Sequence, residues 1–179
     1  MNRVLVVIDM QNDFVDGALG TKEALAIVPI VVEKITSFYG NLYVTLDTHK
    51  DDYLNTQEGK ILPVKHCIDG TSGHELNKKV LESINNKDNL RFFKKNTFGS
   101  VQLAEHLSHV HNIEHKIDEV ELIGICTDIC VISNALLIKA FLPEVKLTVD
   151  ASCCAGVTPE SHINALASMK MCHINIIND

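Results

Sequence analysis

The stretch Glu119-Val-Glu-Leu-Ile-Gly-Ile125, continued by Cys126-Thr-Asp-Ile-Cys130-Val, decides how this chain folds. Its first seven residues are an apolar run of strand length, and residues 128–141 carry apolar side chains at helical spacing. A buried strand feeding a helix places Cys130 in the first helical turn, where unpaired N–H groups and the helix dipole favour a thiolate. Thr127 or Asp128 is the expected cap of that helix. The competing reading makes Cys130 a small buried hydrophobe, as free cysteines often are.

Outward from this stretch the same alternation repeats. Short apolar runs at residues 3–8, 41–46, 90–93, 119–123, 145–149 and 172–177 read as strands. Between them, residues 24–38, 75–84, 100–109, 128–141 and 159–169 read as helices. Near-continuous apolar strands imply a parallel sheet buried on both faces, and right-handed crossovers then build an α/β fold, a three-layer α/β/α sandwich on a mainly parallel six-stranded sheet. No repeat, low-complexity tract or linker divides the sequence, so residues 1–179 are expected to form a single domain.

The 46% hydrophobic content suffices for a full core, and the net charge of −7 argues against a nucleic-acid partner. The one dense basic cluster is Arg91 with Lys94 and Lys95. Residues 4–8 are too short an apolar run for an export signal or a membrane span, and Asp9 interrupts them. Cys67, Cys126, Cys130, Cys153, Cys154 and Cys172 lie in or beside apolar runs, which suits free thiols in a reducing cytoplasm.

In open parallel sheets ligands bind beyond the carboxyl ends of the strands. The expected strand ends deliver Asp9, then Asp47 and His49, then Lys94 and Lys95, and lastly Cys130 to one edge. A cysteine nucleophile needs a base, a group to hold the oxyanion and a group to orient the substrate. Asp9 follows a buried strand, where desolvation raises a carboxyl towards the proton-shuttling range, and either lysine could hold it charged. A turn-capping Asp9 and a solvated lysine pair are the structural alternatives. Asp47-Thr-His49 directs two donors to one side of an extended chain, and His66 arrives later. One carboxylate and two imidazoles suit zinc, and also manganese or iron.

Three motifs in order carry a family resemblance: Val-Val-Ile-Asp9-Met-Gln-Asn-Asp-Phe14, Lys95-Asn-Thr-Phe-Gly-Ser100 and Gly124-Ile-Cys-Thr-Asp-Ile-Cys130-Val. Over nearly its whole length the chain resembles the isochorismatase-like cysteine hydrolases, most closely their nicotinamidase branch. The resemblance implies Asp9, Lys95 and Cys130 as catalytic triad, with Lys95 preferred to Lys94 because it directly precedes the Asn-Thr-Phe-Gly-Ser segment. It also implies a cis peptide between Ile125 and Cys126, and an oxyanion hole formed by the N–H groups of Cys126 and Cys130. A divalent metal on Asp47, His49 and His66, with Glu58 as fourth ligand, would receive the ring nitrogen of a pyridine carboxamide. Phe14 would pack on the ring or in the core. A homodimer or tetramer acting on a small amide completes what the resemblance implies. The chain departs from the branch in lacking tryptophan and in placing Thr48 between the metal Asp and His.

Other readings compete. The same triad supports hydrolysis of carbamoyl or ureide substrates; the chain could instead be a non-catalytic metabolite-binding scaffold, or a thiol redox protein using Cys126 and Cys130. Their spacing is one residue longer than C-x-x-C. Cys153 and Cys154 are expected as buried residues just past strand five, and His106, His109, His111 and His115 as solvated.

Overall fold

In the computed structural model, which describes residues 2–85 and 87–179, six strands form one sheet. They are β1 (Arg3–Ile8), β2 (Asn41–Asp47), β3 (Leu90–Lys95), β4 (Glu119–Ile125), β5 (Lys146–Ala155) and β6 (Asn175–Ile177). All pair in parallel, in the order β3-β2-β1-β4-β5-β6. The order reverses between β1 and β4, where the chain first builds outward to β3 and then returns to the other side of β1. Such a switch opens a crevice at the carboxyl ends of the strands.

Two apolar layers clamp the sheet. Alternate β1 residues Val4, Val6 and Ile8 pack with Leu103 and Leu107 of α5 (Val101–His109), Ala135 and Ile138 of α6 (Ile132–Phe141), and Leu166 and Met169 of α7 (Pro159–Met171). Leu5 and Val7 face the other way, against Val28, Val31 and Ile35 of α2 (Lys22–Ser37) and Val80 and Ile84 of α4 (Lys78–Ile84). Two-residue alternation along β1 therefore serves both layers, which is why the strand reads as continuously apolar. Short helices α1 (Asn12–Val15) and α3 (Gln57–Ile61) lie in the connections at the crevice. Thr21, Ser100 and Thr158 cap α2, α5 and α7 through side-chain oxygens that accept backbone N–H groups.

The three-layer α/β reading holds, and its boundaries shift for physical reasons. β5 continues past Val149 to Ala155, so Cys153 and Cys154 lie buried within the strand. The charge of Asp150 is no stop signal, because Lys34 of α2 pairs with it at 2.7 Å. β6 starts at Asn175, since Cys172 and His173 close the last turn of α7 by bonding back to Met169 and Lys170 carbonyls. β3 extends to Lys95, and α4 begins only at Lys78, capped by Asn77. His106 is not simply solvated: it is half-buried, and its Nε2 lies 3.2 Å from the Tyr43 hydroxyl.

Candidate active site

Two backbone devices shape the switch point. Asp9 ends β1 with φ of +49°, a left-handed conformation that Asp tolerates better than most residues, and the chain turns there out of the sheet. On the neighbouring strand Gly124 has φ of +123°, and a Cβ there would sit 2.1 Å from the Ile8 carbonyl oxygen. β4 thus approaches the end of β1 as only glycine allows. The peptide Ile125–Cys126 is cis, as the family resemblance implied.

The segment after β4 differs from the expected helix start. Residues Thr127–Val131 form a wide turn of π type before α6, and the Cys126 carbonyl accepts both the Ile129 and Val131 N–H groups. Neither Thr127 nor Asp128 caps it. Thr127 Oγ1 instead meets His162 Nδ1 at 2.8 Å, and Asp128 turns away from Cys130 to accept the Val157 N–H.

At the crevice floor Lys95 joins residues at or beyond the ends of β1, β2 and β4. Its Nζ lies 2.7 Å from Asp9 Oδ2, 3.3 Å from Asp47 Oδ1 and 3.5 Å from Cys130 Sγ. Cross-strand register explains the reach: Lys95 stands directly opposite Asp47, one strand away from Asp9. Strand alternation separates the two lysines, sending Lys95 inward while Lys94 points out and pairs with Asp69 at 2.7 Å. The Lys95–Asp9 contact is a close ion pair rather than an aligned hydrogen bond. Asp9 Oδ2 has no aligned donor, while Oδ1 accepts the Thr45 hydroxyl at 2.7 Å.

Electrostatics corrects one expectation. Burial, reinforced by the Asp9 charge, pushes the Cys130 thiol well above its ordinary range, although Lys95 opposes the shift. Burial likewise raises Asp9 against the pull of Lys95. Burial would lower Lys95, but Asp9, Cys130 and Asp47 outweigh it and hold the ammonium charged. Burial and the Asp9 charge thus favour the thiol form over the thiolate expected of a helix start, and a carboxyl stands beside the sulfur to take its proton.

Beside this group Asp47, His49 and His66 bring one ligand atom each, all within 4.8 Å of one another and all buried. His49 Nε2 is buried without a hydrogen-bond partner, 2.9 Å from Asp47 Oδ2 but not aligned with it. His66 Nδ1 meets the Val64 carbonyl at 2.8 Å, which holds the proton there and leaves Nε2 as a donor to a cation. Glu58 Oε1 closes the fourth side, 3.6 Å from His49 Nε2 and 3.7 Å from His66 Nε2. An orphaned imidazole nitrogen facing carboxylates and a second imidazole fits a divalent metal. Three side chains outside the expected set complete this corner. Tyr53, fully buried, packs its ring against both histidines at 4.7 and 4.9 Å. Gln11 clamps the Asp47 backbone, accepting its N–H at 2.7 Å and donating to its carbonyl at 2.8 Å. Thr45 holds Asp9 as described. Gln11 was legible as part of the Asp9-Met-Gln motif and Thr45 as the residue two before Asp47; Tyr53 carries no sequence signal.

Above the floor opens a cavity of about 750 Å³, bounded by Phe14, Leu62, Phe98, Ile129 and Cys130, with Asp47, Glu58 and His66 at its metal corner. Phe14 is buried and sets its ring 5.4 Å from that of His66. No lysine or arginine lines the cavity among the described residues.

Residues 3–178 match the Isochorismatase domain family. The chain belongs to the isochorismatase family. A member described as the uncharacterized isochorismatase family protein PncA of Bacillus subtilis is 31% identical over 93% of each chain. Among solved structures, the nicotinamidase/pyrazinamidase PncA of Bacillus subtilis superposes with a TM-score of 0.83 at 26% identity, covering 98% of this chain and 99% of that one. The pyrazinamidase of Pyrococcus horikoshii, solved in complex with zinc, gives 0.81 at 25% identity over the whole of both chains. Within the family, this chain is a hydrolase acting on amide C–N bonds. No helix among the described residues is long and apolar enough to cross a membrane.

Proposed function

We propose that the chain is a metal-assisted cysteine amidohydrolase that converts a small uncharged carboxamide, nicotinamide before others, into its carboxylate and ammonia. The observation that carries this reading is Lys95, in reach of both Asp9 and Cys130 at the foot of an apolar cavity beside the Asp47–His49–His66 group.

In this mechanism Asp9 takes the thiol proton as Cys130 Sγ attacks the amide carbon. Lys95 remains charged and offsets the negative charge shared by Asp9 and the sulfur. The N–H groups of Cys126 and Cys130 serve the developing oxyanion. Asp9 returns the proton to the leaving nitrogen, the C–N bond breaks, ammonia departs and a thioester remains on Cys130. Asp9 then draws a proton from water, whose oxygen attacks the thioester. The C–S bond breaks, the thiol regains its proton, and the carboxylate leaves a crevice already rich in acidic groups. Asp47, His49 and His66 with Glu58 would hold a divalent ion, zinc before manganese or iron, supplying a Lewis-acidic point for the ring nitrogen. Phe14 stacks on the ring.

Among the described residues the lining carries no lysine or arginine, so with Lys95 paired to Asp9 and the metal point given to the ring nitrogen no cation is left free for a second carboxylate, and a neutral amide is favoured over a ureido or carbamoyl acid. A dithiol redox role is disfavoured because burial, with Asp128 and Asp9 nearby, pushes the Cys126 thiol up to about 12, and Cys130 is raised as well. The chain is further expected to act as a homodimer or tetramer in the cytoplasm, which sedimentation and cell fractionation check. The deciding experiment measures ammonia release from a panel of amides, including nicotinamide, pyrazinamide and a ureido acid, with and without added zinc or manganese. Release from the pyridine or pyrazine amides alone supports the reading, and silence on every amide with metal present ends it.

A further inference from the structure

Lys95 ends β3 and Cys130 lies in the turn after β4, and the segment that follows Lys95 and the turn that carries Cys130 both line the cavity, through Asn96, Thr97 and Phe98 of the first and Ile129 and Cys130 of the second. A buried amide in α6 bonds to both segments. Asn134 in α6 is fully shut off from solvent, although asparagine is a poor helix former and costly to bury. Its Nδ2 donates to the Cys130 carbonyl at 2.8 Å and to the Phe98 carbonyl at 3.2 Å, and its Oδ1 accepts the Ser100 N–H at 2.9 Å. Both amide hydrogens and the oxygen are thereby used, all on backbone groups. One partner is the nucleophile residue itself, and the other two lie three and five residues beyond Lys95. The loop is also pressed on α6: a Cβ at Gly99 would stand 3.2 Å from the Ser133 carbonyl oxygen.

We propose that Asn134 is a positioning residue for the reaction: its side chain ties the Lys95 loop to the Cys130 turn and so fixes the distance between ammonium and sulfur. The proposal rests on the roles given above to Lys95 and Cys130. A purely structural amide would need any three partners, whereas these three tie together the two segments that carry charge and nucleophile.

The test pairs kinetics with structure. Asn134→Ala is expected to lower kcat for nicotinamide by about tenfold to a hundredfold, with KM changed less than about threefold, because Phe14 and the metal corner are untouched. In a Lys95→Met background the same substitution should cost less than about threefold, since no ammonium remains to be placed. Equal losses in both backgrounds, or full activity of Asn134→Ala, would overturn the proposal. If the alanine variant does not fold, Asn134→Asp keeps the shape and the acceptor for Ser100 but removes both donors, and the same loss and the same coupling to Lys95 are expected of it. A crystal structure of whichever variant folds gives a readout free of substrate: Lys95 Nζ should stand more than about 1 Å further from Cys130 Sγ than in the unsubstituted protein. An unchanged separation refutes the positioning role even if the unsubstituted protein proves silent on nicotinamide, a silence that counts against the functional reading instead.

Discussion

Lys95 and Asp9 form an ion pair 2.7 Å long with almost no access to water, and the sulfur of Cys130 lies 3.5 Å from the same ammonium. The pair holds opposite charges where neither is stable alone, and both depend on strands that meet only through the folded sheet. Removing Lys95 tests it most directly. In Lys95→Met, Asp9 loses the cation that opposes its burial, so its proton affinity rises further. The base form is then populated only at higher pH, and the acid limb of the kcat/KM profile should move upward from that of the unsubstituted protein. A profile reduced in height but unmoved would show that Lys95 does not govern Asp9.

Cys130→Ala should abolish ammonia release, by about a thousandfold or more, while thermal unfolding followed by circular dichroism stays close to that of the parent. Only a few atoms leave a site beside an open cavity, so the core is not breached. Mass spectrometry of the parent quenched during turnover should show an acyl adduct on Cys130 that the variant lacks.

The metal corner predicts a graded series. His49→Ala and His66→Ala remove ligand atoms, and elemental analysis of protein purified without chelator should find them nearly metal-free. Tyr53→Leu leaves every ligand in place but loosens the wall on which both imidazoles rest, and metal affinity should fall by about tenfold to a hundredfold in a competition titration. Metal content equal to that of the parent in His49→Ala and His66→Ala would remove Asp47, His49 and His66 as the site.

Far from the crevice, Lys34 Nζ bridges Glu121 at 2.6 Å and Asp150 at 2.7 Å, both carboxylates being buried. Burial pushes Asp150 up, but Lys34, Ser152 and Asn178 outweigh it and hold the carboxyl below its usual range. A depressed carboxyl stabilises the fold above its unfolded pKa, and that contribution fades as pH falls through the folded one. Lys34→Met should therefore cost about 3–5 kcal/mol near neutrality and less in acid, where the stranded Asp150 takes up a proton. Urea unfolding of parent and variant at pH 7 and pH 4 measures the difference.

Gly124→Ala should be poorly tolerated. The new Cβ would strike the Ile8 carbonyl, and the backbone would be held at a positive φ, together costing at least about 2–3 kcal/mol. A melting temperature within about 2 °C of the parent would mean that β4 can yield there.

Apolar periodicity and strand-end chemistry, read along the chain, determined the α/β architecture and brought Asp9, Asp47, His49 and Cys130 to one edge. Local spacing suffices for this, because a parallel sheet puts every strand's carboxyl end on the same side. The choice between Lys94 and Lys95 needed a resemblance at the level of sequence, since a one-residue slip in the register of strand three reverses which side chain points inward. The continuation of β5 through Asp150 escaped the same reading because the charge that neutralises it comes from α2, more than a hundred residues earlier.

Tertiary structure alone decided the electrostatic surroundings of the site and its supports. A helix-start cysteine suggests a thiolate, yet burial and the nearby Asp9 charge push the Cys130 thiol up, because desolvation depends on everything packed around the sulfur and not on its neighbours in sequence. Tyr53 and Asn134 were invisible for the same reason. Their partners, the rings of His49 and His66 and the backbone of residues 98–100 and 130, converge only in space, whereas periodicity reports which face a residue lies on and not what waits there.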